Sequence, residues 1–178
     1  VMGIRMESWT EPDYSTLSRL SRYGYYEVDD MDDGTIERPA YENTDAHINE
    51  GPWMTEHNGK YYLTLSVNGY GTTFYKVVQA ISDSPLGPFR KLTENEGGVL
   101  LGADSIDDVS GPGHHALVEV GDEMYIVYHK HNDPLVGGNE RHIATNQVKW
   151  TSITDKDGQE LDVMYANGPT TGAIQPLP

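Results

Sequence analysis

The stretch EGPWMTEHNGKYYLTLSV, Glu50 to Val67, occurs in outline twice, and that repeat restricts the fold more than any other feature of the chain. In the first copy a carboxylate followed by Gly-Pro-Trp opens the run, Asn58-Gly59 bends it, and Tyr61, Leu63, Leu65 and Val67 alternate with Tyr62, Thr64 and Ser66 on the return. Alternation with a period of two beside an Asn-Gly pair predicts a β-hairpin with an acid at its entrance. The run from Gly111 to His129 follows the same plan: at an offset of 63 residues, Tyr62–Ser66 falls on Tyr125–His129 and Glu50-Gly51 falls on Gly113-His114. A third apolar run follows each copy, Tyr75–Ile81 and then His142–Val148. Units of three or four strands at a long, regular period predict blades of an all-β propeller, with a sandwich of similar hairpins as the alternative. At that period 178 residues make about three blades, whereas a closed propeller has at least four. The expectation is the C-terminal part of a larger ring, or a ring that closes with another chain.

Charge narrows the partners. Asp and Glu outnumber Lys and Arg 28 to 12, and the resulting net charge of −16 repels nucleic acid and anionic lipid, which leaves a neutral ligand as the natural partner. Twelve tyrosines and three tryptophans, against two phenylalanines, offer amphipathic rings that stack on sugars, although tyrosine is also common in sheets. Cysteine is absent, so disulfides and thiolate metal sites drop out. No apolar run is long enough to form a helix that crosses a bilayer, so no membrane span is expected. The chain starts at Val1 with no visible signal peptide, which is read as a start from which something has been cut away or left out.

Residues 1–47 read as an irregular lead-in, 48–166 as two blade repeats and 167–178 as an extended tail. Within the lead-in, Glu11-Pro12-Asp13 is a helix-start or turn signal and Ser15–Tyr23 a short helix. Asp29–Gly34 lacks the spacing and closing glutamate of a calcium loop and reads as a solvated turn. Asn68-Gly69-Tyr70-Gly71 is a blade turn, and Ser82–Phe89 a proline-fixed loop that tucks Phe89 into the core. Residues 93–112, with Asp104, Asp107 and Asp108, form a long connection, and Asn132–Asn139 another loop. The last third strand begins around Arg141 and is closed by Trp150. After a turn at Asp155–Gly158 a final strand runs from Glu160 to Tyr165.

Glu50 is the leading candidate for chemistry. The first strand of a propeller blade lines the central channel, a concave place partly shielded from water, where a carboxyl can serve as a proton donor; a capping or turn carboxylate is the competing reading. His114 takes the corresponding inner position of the next blade, as a metal or water ligand or as an ordinary core histidine. Four imidazoles, His114, His115, His129 and His131, fall within 18 residues. His114 and His115 point to opposite faces of a strand, and no H-E-x-x-H or Cys/His spacing occurs, so a zinc site is not expected. The absence of G-x-S-x-G, of cysteine and of a dinucleotide fingerprint argues against serine or thiol hydrolysis and against redox chemistry.

Taken in order, Ile48-Asn49-Glu50-Gly51-Pro52-Trp53, Asn58–Ser66, Ala80–Phe89, Gly111-Pro112-Gly113-His114-His115 and Tyr125–His129 resemble the C-terminal portion of family 43 glycoside hydrolases over roughly residues 48–165. That resemblance implies a five-bladed β-propeller, exported from a bacterial cell or held in its periplasm. It also implies hydrolysis of arabinofuranosyl or xylosyl linkages in plant polysaccharides, with inversion. The glutamate of the family's E-G/A-P motif, its general acid, falls on Glu50. The histidine of its G-x-G-H motif, near the channel axis and often beside a calcium ion, falls on His114, while Arg141 matches an arginine that reaches the sugar and Trp53 flanks the sugar pocket. Two further aspartates of the family, a general base and one that tunes the acid, belong to earlier blades, and no D-P-x-x-F-x-D-D-D-G-like segment occurs in residues 1–47. An inverting reaction needs carboxyls on both sides of the bond, so the missing base is expected from an N-terminal remainder or a complementary chain. Two other readings remain open here: a non-catalytic sugar-binding propeller with Trp53 and Tyr70 as platforms, and a purely structural half-ring.

Overall fold

The structure, a computed structural model, describes residues 1–28, 38–43, 46–103, 109–133 and 140–170. It opens on a hairpin of β1 (Met2–Ser8) and β2 (Glu11–Arg19). Next comes a sheet of β3 (Asn49–His57), β4 (Lys60–Val67), β5 (Lys76–Ser82), β6 (Arg90–Lys91) and β7 (Val99–Leu101), in which β6 and β7 both pair with β5. The last sheet runs β8 (Gly113–Val120), β9 (Glu123–His131), β10 (Arg141–Thr154) and β11 (Glu160–Ala166), each strand antiparallel to the next. These two larger sheets are consecutive propeller blades.

The hairpin turn between β3 and β4 forms where the sequence places it. Asn58 and Gly59 both have positive φ, 50° and 76°, the backbone of a type I′ turn, and His57 faces Lys60 across it. Strand alternation then divides β4 between two cores. Leu63, Leu65 and Val67 pack with Val78, Ala80, Phe89, Leu20 and Tyr41 on one face. Tyr62 goes to the other face, where it meets Val77, Leu92 and Leu101 of its own blade and Leu117, Ile126, Val148 and Val163 of the next. Thr64 and Ser66 share that second face and are fully buried in it, so their hydroxyls need partners there, and both meet groups of the neighbouring blade, His115 and the His114 N–H.

The two blades are also clasped at the hairpin end. The His57 ring stacks on Trp150 with centroids 3.8 Å apart and planes 6° from parallel. Asn58 donates to Asp162 Oδ2 at 3.0 Å, and the Tyr62 hydroxyl donates to the Asp162 carbonyl. On the far side of the first blade, Lys91 donates to Glu42 Oε1 and to the Arg22 carbonyl, while Gly24 N–H donates to Glu42 Oε2 at 2.6 Å. This buried ion pair fastens the segment before β3 to β6.

Several elements differ from the sequence-based expectation. Ser15–Tyr23 is not a helix, and the lead-in is not irregular at its start: residues 11–19 are β2, paired with β1 from Met2↔Arg19 to Ser8↔Glu11. Asp13 accepts from the backbone N–H and hydroxyl of Ser15, a local bond that competes with helical hydrogen bonding. The long connection after residue 93 contains a single 3₁₀ turn, Glu94–Glu96, closed by a Thr93/Glu96 capping box, followed by β7. Leu100 and Leu101 are buried there, so apolar packing rather than solvation decides that stretch. Strand β10 continues past Trp150 to Thr154 because its whole second half pairs with β11. Asp29–Gly34, Asp104, Asp107, Asp108, most of the Asn132–Asn139 loop and the tail beyond residue 170 lie outside the described residues.

Candidate active site

The inner strands β3 and β8 each carry a bulge at the same repeat position. Pairing shifts between Glu50 and Trp53 in one blade and between Gly113 and Ala116 in the other. Gly51 and His114, 63 residues apart, hold the bulges with φ of 55° and 48°. A bulge bends its strand and re-aims the adjoining side chains, and a non-glycine residue in the left-handed region is a strained position of the kind that gathers at functional sites. The two bulges lie against each other: a Cβ added at Gly51 would sit 3.4 Å from the His114 Cα. The His114 N–H donates across the blade boundary to Ser66 Oγ at 2.8 Å.

Glu50 stands opposite Ser66, at the mouth of this junction. The Tyr75 hydroxyl donates to its Oε1 at 2.6 Å, and His114 Nδ1 lies 4.0 Å from the same oxygen. Among the described residues no donor reaches Oε2. The Glu50 side chain is 36% exposed and that of His114 59%, so the shielding expected for the carboxyl is partial. Burial, together with the hydrogen bond to Glu50, raises the Tyr75 phenol far above its ordinary range. Tyr75 is therefore a neutral hydroxyl that donates.

Arg141, the first residue of β10, joins the cluster through His129. Its Nη1 donates to His129 Nε2 at 3.1 Å, and its guanidinium lies 5.3 Å from the centroid of the Tyr70 ring. Burial first, and then the charge of Arg141, lower the His129 pKa to about 4, which keeps the imidazole a neutral acceptor. The His129 ring is parallel to Tyr75 within 7° at 5.7 Å and lies 6.3 Å from His114. Glu50, His114 and Arg141 are thus brought together, whereas Trp53 lies beyond the bulge, 40% exposed, and its ring joins none of these contacts among the described residues.

The four imidazoles diverge. His115 is buried and shares a hydrogen bond between its Nε2 and Thr64 Oγ1 at 2.6 Å, and burial lowers its pKa to about 4. His131 donates from Nε2 to the Tyr70 carbonyl at 2.7 Å and accepts from Ser110 at Nδ1, which fixes the loop that carries Tyr70. Among the described residues no three His, Cys, Asp or Glu side chains converge to hold a metal. Calcium takes six to eight oxygen ligands, and among the described residues the side-chain oxygens near His114 are the Glu50 carboxylate and the Ser66 and Tyr75 hydroxyls, so these residues alone do not fit a calcium site.

Neither Tyr75, which touches the candidate acid, nor His129, which holds Arg141, stood out in that role in the sequence. For His129 a signal existed: at the repeat offset it corresponds to Ser66, and each faces the inner bulge residue of its blade, Glu50↔Ser66 and Gly113↔His129. Nothing in the strand pattern pairs Tyr75 with Glu50, because that contact depends on where the next blade leaves room.

A sequence model of the family "Glycosyl hydrolases family 43" matches residues 19–154. The β-D-galactofuranosidase xynD of Aspergillus niger is 39% identical over 82 residues, 46% of this chain and 23% of that protein. A probable arabinan endo-1,5-α-L-arabinosidase C of Aspergillus fumigatus is 29% identical over 126 residues, 62% of this chain and 39% of that protein. The crystal structure of an endo-1,4-β-xylanase from Bacteroides thetaiotaomicron superimposes with a TM-score of 0.61 at 25% identity, covering 90% of this chain and 46% of that one. The chain spans less than half the length of each of these relatives. With the family pattern running through both blades and their junction, the chain belongs to family 43 of the glycosyl hydrolases.

Proposed function

We propose that this chain forms part of an inverting bacterial glycosidase, secreted or periplasmic, that cleaves arabinofuranosyl or xylosyl linkages in plant polysaccharides, with Glu50 as the general acid. The observation that carries the proposal is the asymmetry of the Glu50 carboxyl, with one oxygen held by the buried Tyr75 hydroxyl and the other open beside His114. In the reaction, Glu50 gives its proton to the glycosidic oxygen as the bond to the anomeric carbon breaks. In the same displacement water attacks that carbon from the opposite face and gives its proton to a base in blades this chain does not contain. Arg141, fixed between His129 and Tyr70, presents N–H donors to a sugar hydroxyl, and His114 lines the entrance. A calcium ion beside His114 belongs to this proposal only with oxygens drawn from outside the described residues, and no step passes through it.

In the full-length enzyme, Glu50→Gln is expected to abolish turnover of natural oligosaccharides while sparing much of the activity on an aryl glycoside with a good leaving group. Equal loss on both substrates refutes the general-acid role. The chain alone is expected to turn over neither. The exposed rings of Trp53 and Tyr70 favour a second reading, a sugar-binding propeller without catalysis. Calorimetric binding of arabino- or xylo-oligosaccharides to the full-length protein, without turnover, would select it.

A further inference from the structure

Tyr75 is seated with more care than a core tyrosine requires. Its side chain is fully buried at the start of the run into β5, and its ring occupies a slot that exists only because residue 113 is glycine: a Cβ there would fall 2.0 Å from the ring's Cε1. The His129 ring lies parallel on the cluster side. The Gly-Pro-Gly-His run of one blade therefore clears space for a ring of the previous blade, and that ring's hydroxyl ends 2.6 Å from Glu50 Oε1. His114, the other group near this oxygen, stays at 4.0 Å, beyond hydrogen-bond length, and Arg141 is engaged by His129.

We infer that Tyr75 is a positioning residue for the proton donor, confining the transferable proton of Glu50 to Oε2. The reasoning rests on the general-acid reading above and on hydrogen-bond valence. A buried neutral phenol has one proton to donate, and it goes to Oε1, so Oε1 must accept. A carboxylic acid carries its single proton on the other oxygen, here the one open to the site. When that proton moves to the leaving glycosidic oxygen, the O–H bond within Glu50 breaks, the new O–H forms on the leaving group, and the carboxylate left behind accepts from Tyr75 a stronger, charge-assisted hydrogen bond. The interaction is thus stronger in the transition state than in the ground state, which raises kcat and leaves KM alone.

The test is Tyr75→Phe in the full-length enzyme, compared with wild type and Glu50→Gln on an arabino- or xylo-oligosaccharide and on an aryl glycoside with a good leaving group. Losing one hydrogen bond to a developing charge predicts a fall in kcat of roughly 10- to 100-fold on the oligosaccharide, a far smaller fall on the aryl glycoside, and unchanged KM on both. Equal losses on the two substrates, or a change confined to KM, overturn the inference. Site-specific 3-fluorotyrosine at position 75 serves as a second arm if the phenylalanine variant does not fold. It keeps the shape and strengthens the donor, so the ratio of kcat on the oligosaccharide to kcat on the aryl glycoside rises, and an unchanged ratio overturns the inference. Glu50→Gln separates the two levels. If it spares the aryl glycoside and the Tyr75 variants do not behave as stated, only the positioning role fails, whereas if it loses both substrates equally the general-acid reading fails with it.

Discussion

Replacing Glu42 by Gln tests the buried ion pair behind the first blade. The two side chains are 0% and 2% exposed, and Glu42 is saturated: Oε1 accepts from Lys91 and from Asn49 Nδ2, and Oε2 from Gly24 N–H. An amide in its place brings two N–H donors into a site that already supplies three. The Lys91 ammonium is left buried without a counter-charge, with neutral acceptors alone among the described residues, the Arg22 carbonyl and at most the new amide oxygen. Breaking a buried pair by removing one partner costs about 3–5 kcal/mol, because the surviving charge has neither water nor counter-charge. With a urea m value of about 1–3 kcal/mol/M, the unfolding midpoint of the variant falls by at least about 1 M. The pH dependence follows from the direction of the Lys91 shift. Burial lowers its pKa in the folded state and Glu42 opposes that, so removing Glu42 drops it further below the value of 10.5 in the unfolded chain. Between the folded and unfolded pKa values the unfolded state binds more protons, so stability rises with pH across that window, and because the variant's window opens at the lower pH its deficit shrinks as pH rises from neutrality toward 10.5. A companion double variant, Glu42→Leu with Lys91→Met, removes both charges and recovers part of the loss, the remainder being the Gly24 N–H and the Arg22 carbonyl left without these partners. A midpoint shift under about 0.3 M, or a double variant no better than the single one, refutes the reasoning.

Gly113→Ala drives a methyl group into the Tyr75 ring and is expected to lower kcat on oligosaccharides at least as much as Tyr75→Phe, alongside a fall in melting temperature. Phe89→Ala opens a cavity in the core behind β4 and destabilises by about 3–5 kcal/mol, read by urea unfolding. His115 titrates near 6.5 when unfolded and near 4 when folded, so its contribution is fully present above pH 6.5 and is lost progressively as pH falls to about 4. That loss is about 3 kcal/mol, and His115→Gln flattens this slope in unfolding measured from pH 7 to pH 4. His131→Phe removes the bond that fixes the Tyr70 carbonyl and is expected to raise KM severalfold while kcat changes less, measured by steady-state kinetics of the full-length enzyme.

What could be read from the sequence was whatever repeats or alternates. Asn58-Gly59, the third runs after each hairpin and the pairing of the two entrances at an offset of 63 residues are local patterns with a fixed period, and the structure places the strands accordingly. Misread stretches were those where neither period applies. Residues 11–19 contain Pro12, a turn residue, and Asp13, Thr16 and Ser18, whose side chains bond nearby backbone, while Ser15 bonds the Asp13 carboxylate; together they hide a strand behind turn-like chemistry. The short strands β6 and β7 are too brief to alternate and exist only because β5 offers them an edge. Within the site, Glu50 and His114 were legible from the repeat and Arg141 from the family resemblance, but the groups that hold them were not: Tyr75 and His129 reach Glu50 and Arg141 from another part of the same blade, and Ser66 reaches His114 across the blade boundary, contacts that no single-strand pattern encodes.

The division of labour between the strands of a blade explains why chemistry collects at this junction. In the first blade β4 and β5 are almost wholly buried, while β3 is half-buried to exposed along its length. A carboxyl on β4 or β5 would lose its water and need a full set of partners, as Glu42 does beside Lys91, and it would then be too well satisfied to exchange a proton with a ligand. On β3 the same group keeps one side open, so precise placement has to come from elsewhere. The bulges supply it by turning Glu50 and His114 toward the junction, and the buried rings behind them supply the rest. Tyr75, fully buried just ahead of β5, and His129, half-buried on β9, are held by packing, Tyr75 against Gly113 and the two rings parallel to each other, and their polar atoms extend into the site from there. Loosening the buried strands should therefore degrade kcat before it unfolds the protein, whereas changes on the exposed face of β3 away from Glu50 should alter binding alone.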